Sequence, residues 1–352
     1  SHEEFLAKVR AGAEFVRSSF ELFDNMETIR FFERIGVPIS IEQGGRAYPR
    51  SGDAWDIALS LERWAIKHGA KIVCGCEVKN LIVKNGMCTG VVTNGKEYFA
   101  PKVVITTGGV SYSGTGSTGD GYRMAYEVGH TVVPVAPSLV PFEIGGRFIP
   151  SLAGLILKNV MLTLCVDGVE RAKELGEVEF FRFGIGGGVV FRLSRDAVEA
   201  FMDGHKVEFL LDLKPSLSMA KLLGRVAREV EAKPTLRIDE LLLKLMPSKM
   251  AAVVSSISKV DGRTAVASTS ERAITELLTL LKNFHLPVIA HRGFKEAVVT
   301  AGGISTTEID PLTMESKLIR GLFFAGEVID IDADTGGYNL QLAFSTAYCV
   351  AK

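Results

Sequence analysis

A carboxylate, a pair of adjacent glycines and two side-chain amides lie close together near the end of the chain. Apolar residues 322–325 predict a short buried strand, which Gly326 and Glu327 end. An acidic loop leads to Gly336–Gly337, and the residues from Tyr338 onward predict a helix. A strand, a glycine-rich turn and a helix in this order present a helix N-terminus to an anionic or electron-rich ligand.

Two interpretations of the glycine pair remain open. Glycines carry no Cβ, so two in a row let the backbone approach a ligand closely. A plain tight turn between strand and helix explains a lone Gly-Gly as well. The nearby carboxylate of Glu327 and the amides of Asn339 and Gln341 favour a ligand site.

The elements that precede this site are predicted in two groups. Residues 3–35 have helical periodicity in two pieces, and Gly36 ends the second. Asp53 is predicted to cap a helix that runs to about His68. We expect the apolar face of that helix to pack in the core, through Trp55, Leu59 and Trp64.

A small antiparallel meander is predicted next. Residues 71–107 alternate with a period of two, and Asn85–Gly86 and Asn94–Gly95 predict hairpin turns in which both residues need positive φ. The meander leads to a buried strand at Val103–Ile105, which enters a glycine-rich polar loop. A helix is predicted over 120–127 after that loop.

The composition changes between Gly145 and about Phe294. Residues 157–183 and 207–213 predict antiparallel strands, whereas 217–286 are predicted to be almost wholly helical. The middle of the chain is therefore predicted to be inserted into an outer α/β domain. The predicted segments are 1–144 and 297–352 for the outer domain, 145–215 and 287–296 for a β-rich domain, and 216–286 for a helical domain.

Composition bounds the class of protein. At 352 residues the chain is large for one core, so two or three domains are expected. The 40 Lys and Arg against 41 Asp and Glu give a net charge of −1, which argues against a nucleic-acid partner selected by bulk charge. A small-molecule substrate is expected instead.

The cysteines indicate the compartment. The chain has no C-x-x-C motif and no zinc-like quartet, so we expect free thiols and no metal site. The most apolar stretch, 148–166, is interrupted by polar residues and predicts no membrane span, and no signal peptide is visible. A reducing, cytoplasmic setting is therefore expected. The five cysteines are Cys74, Cys76, Cys88, Cys165 and Cys349.

Three motifs in order resemble a known family. TTGGVSYSGTGSTGDGYRMAYEVGHTVVPVAPSLVP (Thr106–Pro141) resembles the second signature of the BaiN/YhiN-like flavoproteins, also called aminoacetone-oxidase-like FAD-binding enzymes. Ala297–Ala347 resembles the C-terminal signature of that family, and Gly45–Ser51 resembles its short upstream motif. The match covers the outer segments well and the middle loosely.

The resemblance implies an α/β fold. The outer segments would form a Rossmann-like FAD-binding domain of the two-dinucleotide-binding type, with an inserted β-barrel-like domain and an inserted helical domain. The usual N-terminal βαβ unit with G-x-G-x-x-G, which holds the FAD pyrophosphate, is not found in this sequence. A second departure is Gly186–Gly188, where the family usually has a Ser-Gly-Pro-like sequence.

The resemblance also implies the cofactor-binding residues. The strand ends near Gly109 and Glu327 would pass close to FAD, and the helix start would lie beside its isoalloxazine ring. There the partial positive charge of a helix N-terminus would stabilise the negative charge that reduction places on the ring. The implied residues are Val78, Thr107, Gly108, Gly109, Gly326, Glu327, Asp330, Gly336, Gly337, Tyr338, Asn339, Leu340 and Gln341.

Candidates for direct acid or base chemistry are few. Arg46 and Tyr48 belong to the upstream motif and are candidates for the substrate side, as is His291 near a returning strand. His130 follows a helix stop and is interpreted as structural. The catalytic residues stay unassigned, and without C-x-x-C a disulfide-reductase mechanism is not expected.

The resemblance implies an FAD-dependent oxidoreductase. It would transfer a hydride or electron pair between NADH, NADPH or an organic donor and a small-molecule acceptor, either reducing conjugated enones or oxidising amines with O₂. One alternative is a fumarate-reductase-like flavoprotein, since T-G-G followed by G-D-G-Y also occurs there. Another is a non-catalytic binding scaffold, since the βαβ unit that holds the ADP half of FAD is not in the sequence.

Overall fold

The computed structural model describes residues 1–42 and 44–352. The chain forms two compact units. The first contains Ser1–Pro137 and Val298–Lys352, and the second contains Ser138–Ala297. The second unit therefore interrupts the first in sequence, while the finer five-segment division stays a prediction.

Helices occur in both units. In the described residues the α-helices are α1 (His2–Leu6), α2 (Ala13–Leu22), α3 (Asn25–Arg34), α4 (Ala54–Lys67), α5 (Asp120–Glu127), α6 (Ile149–Leu152), α7 (Gly188–Met202), α8 (Met219–Ala232), α9 (Ile238–Leu245), α10 (Ser248–Ser258), α11 (Glu271–Lys282) and α12 (Tyr338–Ala351). None of them is long and apolar enough to span a membrane.

Strands also occur in both units. They are β1 (Val9–Ala11), β2 (Ile39–Ile41), β3 (Ala47–Pro49), β4 (Val78–Lys84), β5 (Met87–Thr93), β6 (Lys96–Phe99), β7 (Val103–Ile105), β8 (Val132–Ser138), β9 (Phe142–Ile144), β10 (Ile156–Val166), β11 (Val169–Phe180), β12 (Gly184–Gly186), β13 (Val207–Asp212), β14 (Phe284–His291), β15 (Val299–Ile304), β16 (Leu322–Phe324) and β17 (Asp332–Ala333).

A parallel pair of strands lies at the centre of the first unit. β7 pairs with β16, with Val103 opposite Leu322 and Ile105 opposite Phe324. Ile105, Leu322 and Phe324 are at most 3% exposed and belong to the main core cluster of this unit. Both strands were predicted from their apolar runs and are present. The predicted burial is confirmed for β16 but is wrong for Val104 of β7, which is 42% exposed. Because the strands are parallel, the loops that follow them leave the same edge of the sheet.

The predicted meander is present as the sheet β4-β5-β6. Its first turn confirms the expectation, since Asn85 (φ 51°) and Gly86 (φ 72°) both have positive φ. At the second turn only Gly95 does, with φ 85°. The prediction of two left-handed residues is therefore wrong for Asn94–Gly95, although the β5–β6 hairpin itself forms.

Helix α4 differs from its prediction. Asp53 caps it as expected, by accepting a hydrogen bond from the N–H of Trp55. Its apolar face, however, is not part of a core: α4 has no buried residue, and Trp55 is 69% exposed. Trp64 contacts the Phe31 ring edge-on, at a centroid separation of 5.2 Å, and the His68 ring at 4.6 Å. The periodicity predicted the helix, but not what would cover it.

The second unit contains a closed barrel and a group of helices. Six strands form the barrel in the order β10-β11-β12-β9-β14-β13. Phe142, Phe180 and Phe209 are fully buried. Helices α8 to α11 lie between β13 and β14 in the sequence, within the segment predicted to be helical.

Candidate functional site

Glu327 joins the loop that follows β7 to strand β15. Its Oε2 accepts a hydrogen bond from the N–H of Gly109 (3.1 Å), and its Oε1 accepts one from the N–H of Thr300 (2.7 Å). Gly109 follows β7, Thr300 lies in β15, and Glu327 follows β16. One half-buried carboxylate thus fixes three separate parts of the first unit.

Thr300 extends this network to the polar loop after β7. It is fully buried, and its Oγ1 accepts hydrogen bonds from the N–H groups of Val110 and Ser111, each at 3.0 Å. The Ser111 hydroxyl lies 2.9 Å from the same oxygen. A Cβ on Gly109 would approach Thr300 Oγ1 to 2.3 Å. The close approach of Thr300 therefore explains the glycine at position 109.

Thr300 was not predicted to be a site residue. It stands in the apolar run that predicts β15, where a single threonine is compatible with strand propensity alone. The signal that would identify it is its contact with Ser111, 189 residues away in the chain. That contact exists only in the folded protein.

The Glu327 side chain is half-buried and lies near the charge of Asp332. Burial raises the pKa of its carboxyl, and the hydrogen bonds from Thr300 and Gly109 partly oppose that rise. The hydroxyl of Tyr122 donates to the backbone oxygen of Glu327 at 3.3 Å. Burial, with the nearby charge of Glu327, also raises the pKa of Tyr122. The site thus holds its carboxyl group by neutral N–H donors.

The predicted helix after the glycine pair is confirmed. Gly336 has φ 134°, and Gly337, with φ 91°, is the N-cap residue of α12. No side chain caps this helix, so the first-turn N–H groups have no partner within the helix or from a capping side chain. Both glycines are exposed, and a Cβ on Gly337 would meet no atom within 4 Å.

These features fit a flavin cofactor. An uncapped helix N-terminus supplies N–H donors and partial positive charge to an electron-rich group. The open surface at Gly337 leaves room for that group beside the backbone. Gly336 is more confined, because a Cβ there would lie 3.0 Å from the Tyr338 ring.

The amide side chains predicted beside the cofactor make internal contacts. Asn339 Oδ1 accepts from the N–H of Ala333 (2.9 Å), and its Nδ2 donates to the oxygen of Ala333 (2.8 Å). Gln341 is buried, and its Nε2 donates to the oxygen of Phe23 (3.0 Å). The side chains thus hold β17 and the end of α2, and only the backbone of Asn339 lies at the open helix end.

Five other predicted cofactor residues lie in the first unit. Val78 is half-buried on β4, an edge strand of its sheet. The backbone oxygen of Thr107 accepts a hydrogen bond from Ser117, and the N–H of Asp330 donates to Ile304. Tyr338 is half-buried and Leu340 is 66% exposed. Their contacts with a cofactor stay predictions, as do those of Gly108 and Gly326, which both have positive φ.

The substrate-side candidates fall in different units. Arg46 and Tyr48 lie on or beside β3 in the first unit and are exposed. His291 ends β14 in the second unit, where its Nδ1 accepts a hydrogen bond from the N–H of Gly293 at 3.1 Å. Burial lowers the pKa of His291. Their roles stay predictions.

Comparison with known proteins identifies the family. The model of the HI0933-like protein Rossmann domain matches residues 1–352. The chain belongs to the HI0933-like family. The predicted resemblance to BaiN/YhiN-like flavoproteins and the predicted α/β fold with a Rossmann-type FAD-binding domain are thereby confirmed.

Two curated relatives of this HI0933-like chain are each 28% identical to it. The 3-dehydro-bile acid delta(4,6)-reductase of Clostridium scindens aligns over 96% of this chain and 82% of its own length. The ribosomal RNA dihydrouridine synthase of Haemophilus influenzae aligns over 96% and 81%. Among solved structures, a variant of the Escherichia coli quinol fumarate reductase FrdA has a TM-score of 0.47 at 16% identity, covering 100% of this chain and 60% of that one.

The family and its relatives give the general class of this protein. It is a flavin-dependent oxidoreductase, as predicted. The expectation that no nucleic acid is a partner rests on net charge and stays a prediction.

A second buried polar cluster fixes the segment before β16. His130 is 2% exposed, with its Nδ1 3.2 Å from Glu308 Oε2 and its Nε2 2.8 Å from Ser316 Oγ. Ser316 Oγ also accepts from the N–H groups of Leu318 and Ile319. This serine is buried and its oxygen is already hydrogen-bonded, so the Ser-His-Glu series is a structural bridge and not a nucleophile.

This bridge should make the first unit sensitive to acid. Burial lowers the pKa of His130 below the ordinary value of 6.5, although Glu308 opposes that shift. The unfolded chain then binds a proton more readily than the folded one, so stability falls as the pH drops through about 6.5. We expect urea unfolding at pH 7.5, 6.5 and 5.5 to show this loss, and His130→Gln to reduce it.

The exposed His205 supplies the control for that experiment. His205→Gln removes one histidine from the second unit and should leave the pH dependence unchanged when unfolding is followed by tryptophan fluorescence. Both tryptophans, Trp55 and Trp64, lie in the first unit. An identical pH dependence in wild type and His130→Gln would contradict the conclusion that His130 causes the acid sensitivity of the first unit.

Proposed function

We propose that this enzyme reduces a carbon–carbon double bond that is conjugated with a ring carbonyl, with NADH or NADPH as the electron donor. The observation that carries the proposal is the shared chemistry in the names of the two relatives. A delta(4,6)-reductase of a 3-dehydro-bile acid and a dihydrouridine synthase both imply saturation of a ring double bond near a carbonyl. A steroid and a pyrimidine have otherwise different ring systems. The two names therefore support a reaction class for this chain and not a particular substrate.

The helix start at α12 is the proposed binding place of the flavin ring. The backbone N–H groups of Tyr338, Asn339 and Leu340 would hold its electron-rich edge, and Gly336 and Gly337 would allow close approach. FAD supplies hydride transfer between a donor and an acceptor when it is bound. The helix dipole favours negative charge at this position, and it costs no rearrangement because the helix is already formed.

The network around Glu327 is proposed to position the rest of the cofactor. Gly109 and Thr300 donate to its two carboxylate oxygens and hold it at the edge where β7 and β16 end. A carboxylate oxygen accepts more than one hydrogen bond, so Glu327 retains capacity for a cofactor hydroxyl. By the resemblance, Gly326 and Glu327 would lie beside the ribityl chain.

The proposal also specifies the electron donor, the cellular location and the acceptor. NADH or NADPH is proposed as the donor because reduction of a conjugated double bond requires an external source of two electrons, which either nicotinamide can supply as a hydride. A cytoplasmic location is supported by the cysteines, all five of which are free. The acceptor is proposed to carry an α,β-unsaturated ring ketone or the equivalent part of a uracil ring.

The test uses the full chain with added FAD. We expect flavin absorbance bands in the purified protein and stabilisation by FAD in a thermal shift. With 2-cyclohexen-1-one, consumption of NADH or NADPH should match formation of the saturated ketone without stoichiometric peroxide. Peroxide formed from an amine, with no enone reduction, would overturn the proposal in favour of an oxidase.

A further inference from the structure

The near-zero net charge of the chain hides a strong local imbalance. Residues 214–283, which contain helices α8 to α11, have twelve Lys and Arg against seven Asp and Glu. The remaining residues have 28 against 34. A basic segment inside an otherwise acidic chain is the pattern expected where an anionic partner binds locally. The net charge of the whole protein therefore says little about this segment.

The uncompensated positive charge gathers on one face of α8. Leu222 and Val226 are buried on its inner side. The outer side borders a groove of about 420 Å³, and we call this surface the α8 groove. Its lining residues recur at helical spacing and are Leu217, Ala220, Lys221, Gly224, Arg225 and Arg228. The absence of side-chain bulk at Gly224 and Ala220 leaves the groove open between the cations.

These cations differ from most of the others of the helical segment. Lys233, Arg237, Lys244, Arg263 and Arg272 each form an ion pair with a carboxylate. Across residues 1–42 and 44–352, by contrast, no ion pair with a carboxylate within 4.0 Å involves any cation of the α8 groove. Those cations are Lys221, Arg225 and Arg228.

The surroundings of the groove neutralise it only in part. Glu229 is paired with Lys244, and the charges of Lys244, Arg225 and Arg228 together lower its pKa, so these three cations share one carboxylate. Asp212 is paired with Lys282. Lys214, just before α8, adds a further positive charge, and its pKa is lowered by burial and by the charge of Arg225. Nη2 of Arg225 donates a hydrogen bond to the backbone oxygen of Lys244 at 3.2 Å. Like charges that outnumber the carboxylates beside them leave a site that an anion would stabilise.

We propose that the α8 groove binds the phosphate backbone of RNA. Lys221, Arg225 and Arg228 follow one another at intervals of four and three residues, or about 6 and 4.5 Å along the helix axis. Cations in such a row are better placed to contact successive phosphate groups of an extended polyanion than to surround one compact anion. Arginine binds phosphate through paired N–H donors. Contacts of this kind with the phosphate backbone supply affinity for nucleic acids that does not depend on base sequence.

Other anionic surfaces fit the groove less well. A membrane surface would require large apolar side chains beside the cations, but none of the exposed large hydrophobic residues lies on α8 in the part of the chain that the structure describes. RNA also agrees with one relative, which is named as a ribosomal RNA dihydrouridine synthase. The proposal goes beyond the reductase reaction and does not depend on it, because RNA binding is measured without turnover.

The test compares two double charge reversals on the full chain. Arg225→Glu with Arg228→Glu changes the groove, whereas Arg263→Glu with Arg272→Glu makes the same change in net charge at strongly exposed positions elsewhere. Binding of a short fluorescein-labelled RNA hairpin is followed by anisotropy at several KCl concentrations. We expect the groove variant to bind about tenfold or more weakly and its salt dependence to decrease by roughly one to two released ions.

The outcomes separate the possibilities. Wild-type binding that the control pair keeps and the groove pair loses supports the proposal, provided that far-UV circular dichroism shows both variants folded. Equal loss in both pairs, binding to anionic lipid vesicles but not to RNA, or no RNA binding by wild type at low salt would overturn it. Reduction of 2-cyclohexen-1-one should be equal in wild type and the groove variant. Failure of this assay in both proteins would contradict the reductase proposal and leave the RNA-binding proposal unaffected.

Discussion

Thr300→Val should lower the free energy of unfolding of the first unit by roughly 2–4 kcal/mol. Valine has nearly the shape of threonine but lacks the hydroxyl that accepts from the N–H groups of Val110 and Ser111. Thr300 is fully buried, so water cannot replace the lost acceptor. Two donors left without a partner cost far more than one lost hydrogen bond between exposed groups. Urea unfolding followed by tryptophan fluorescence measures the change.

Thr300→Ser is the matched control. It keeps the hydroxyl and removes one buried methyl group, which costs about 1 kcal/mol. The difference between the two variants therefore isolates the acceptor from the packing of the side chain. Equal stability of Thr300→Val and Thr300→Ser would mean that the loop after β7 does not depend on this oxygen.

Local elements of the site were predictable because each has its own chemical signal. The apolar runs at Val103–Ile105 and Leu322–Phe324 predicted the two strands, which the structure contains. The glycine pair predicted the start of α12, because positive φ at Gly337 is a conformation that most other residues avoid. The helix stop at Gly36 followed from the same preference.

Features that depend on distant partners were not predictable. Glu327 was singled out, but nothing in the sequence connects it with Thr300. Asn339 was selected as a polar residue beside a glycine turn, yet its side chain is occupied by both backbone groups of Ala333. Helix α7 was not predicted, since it begins directly after β12 at the glycine run 186–188. In each case the deciding contact is tertiary.

The net charge of the chain likewise could not predict a feature that depends on tertiary contacts. A total near zero argued against nucleic acid, because bulk charge governs long-range attraction. Binding at short range depends on which charges are already paired. The ion pairs on α9 and α11 and the unpaired cations on α8 contribute equally to the total, but only the structure separates them.

Gly337→Val should weaken FAD binding by about tenfold or more, equivalent to about 1.4 kcal/mol. The branched side chain would occupy the open space at the start of α12, where the flavin is proposed to approach the backbone. Valine also disfavours φ near 91°, which shifts the first N–H groups of the helix away from their present direction. Titration of the FAD-free protein, followed by quenching of flavin fluorescence, measures the affinity.

Gly95→Val separates the loss of ligand space from backbone strain. Gly95 has φ 85°, close to that of Gly337, and a Cβ there would also meet no atom within 4 Å. It lies in the β5–β6 turn, so valine should cost similar folding stability while changing FAD affinity by no more than about 0.5 kcal/mol. An equal loss of affinity in both variants would point to general destabilisation of the first unit. A loss confined to Gly337→Val would place the flavin at the start of α12, because only there does the added side chain meet the ligand.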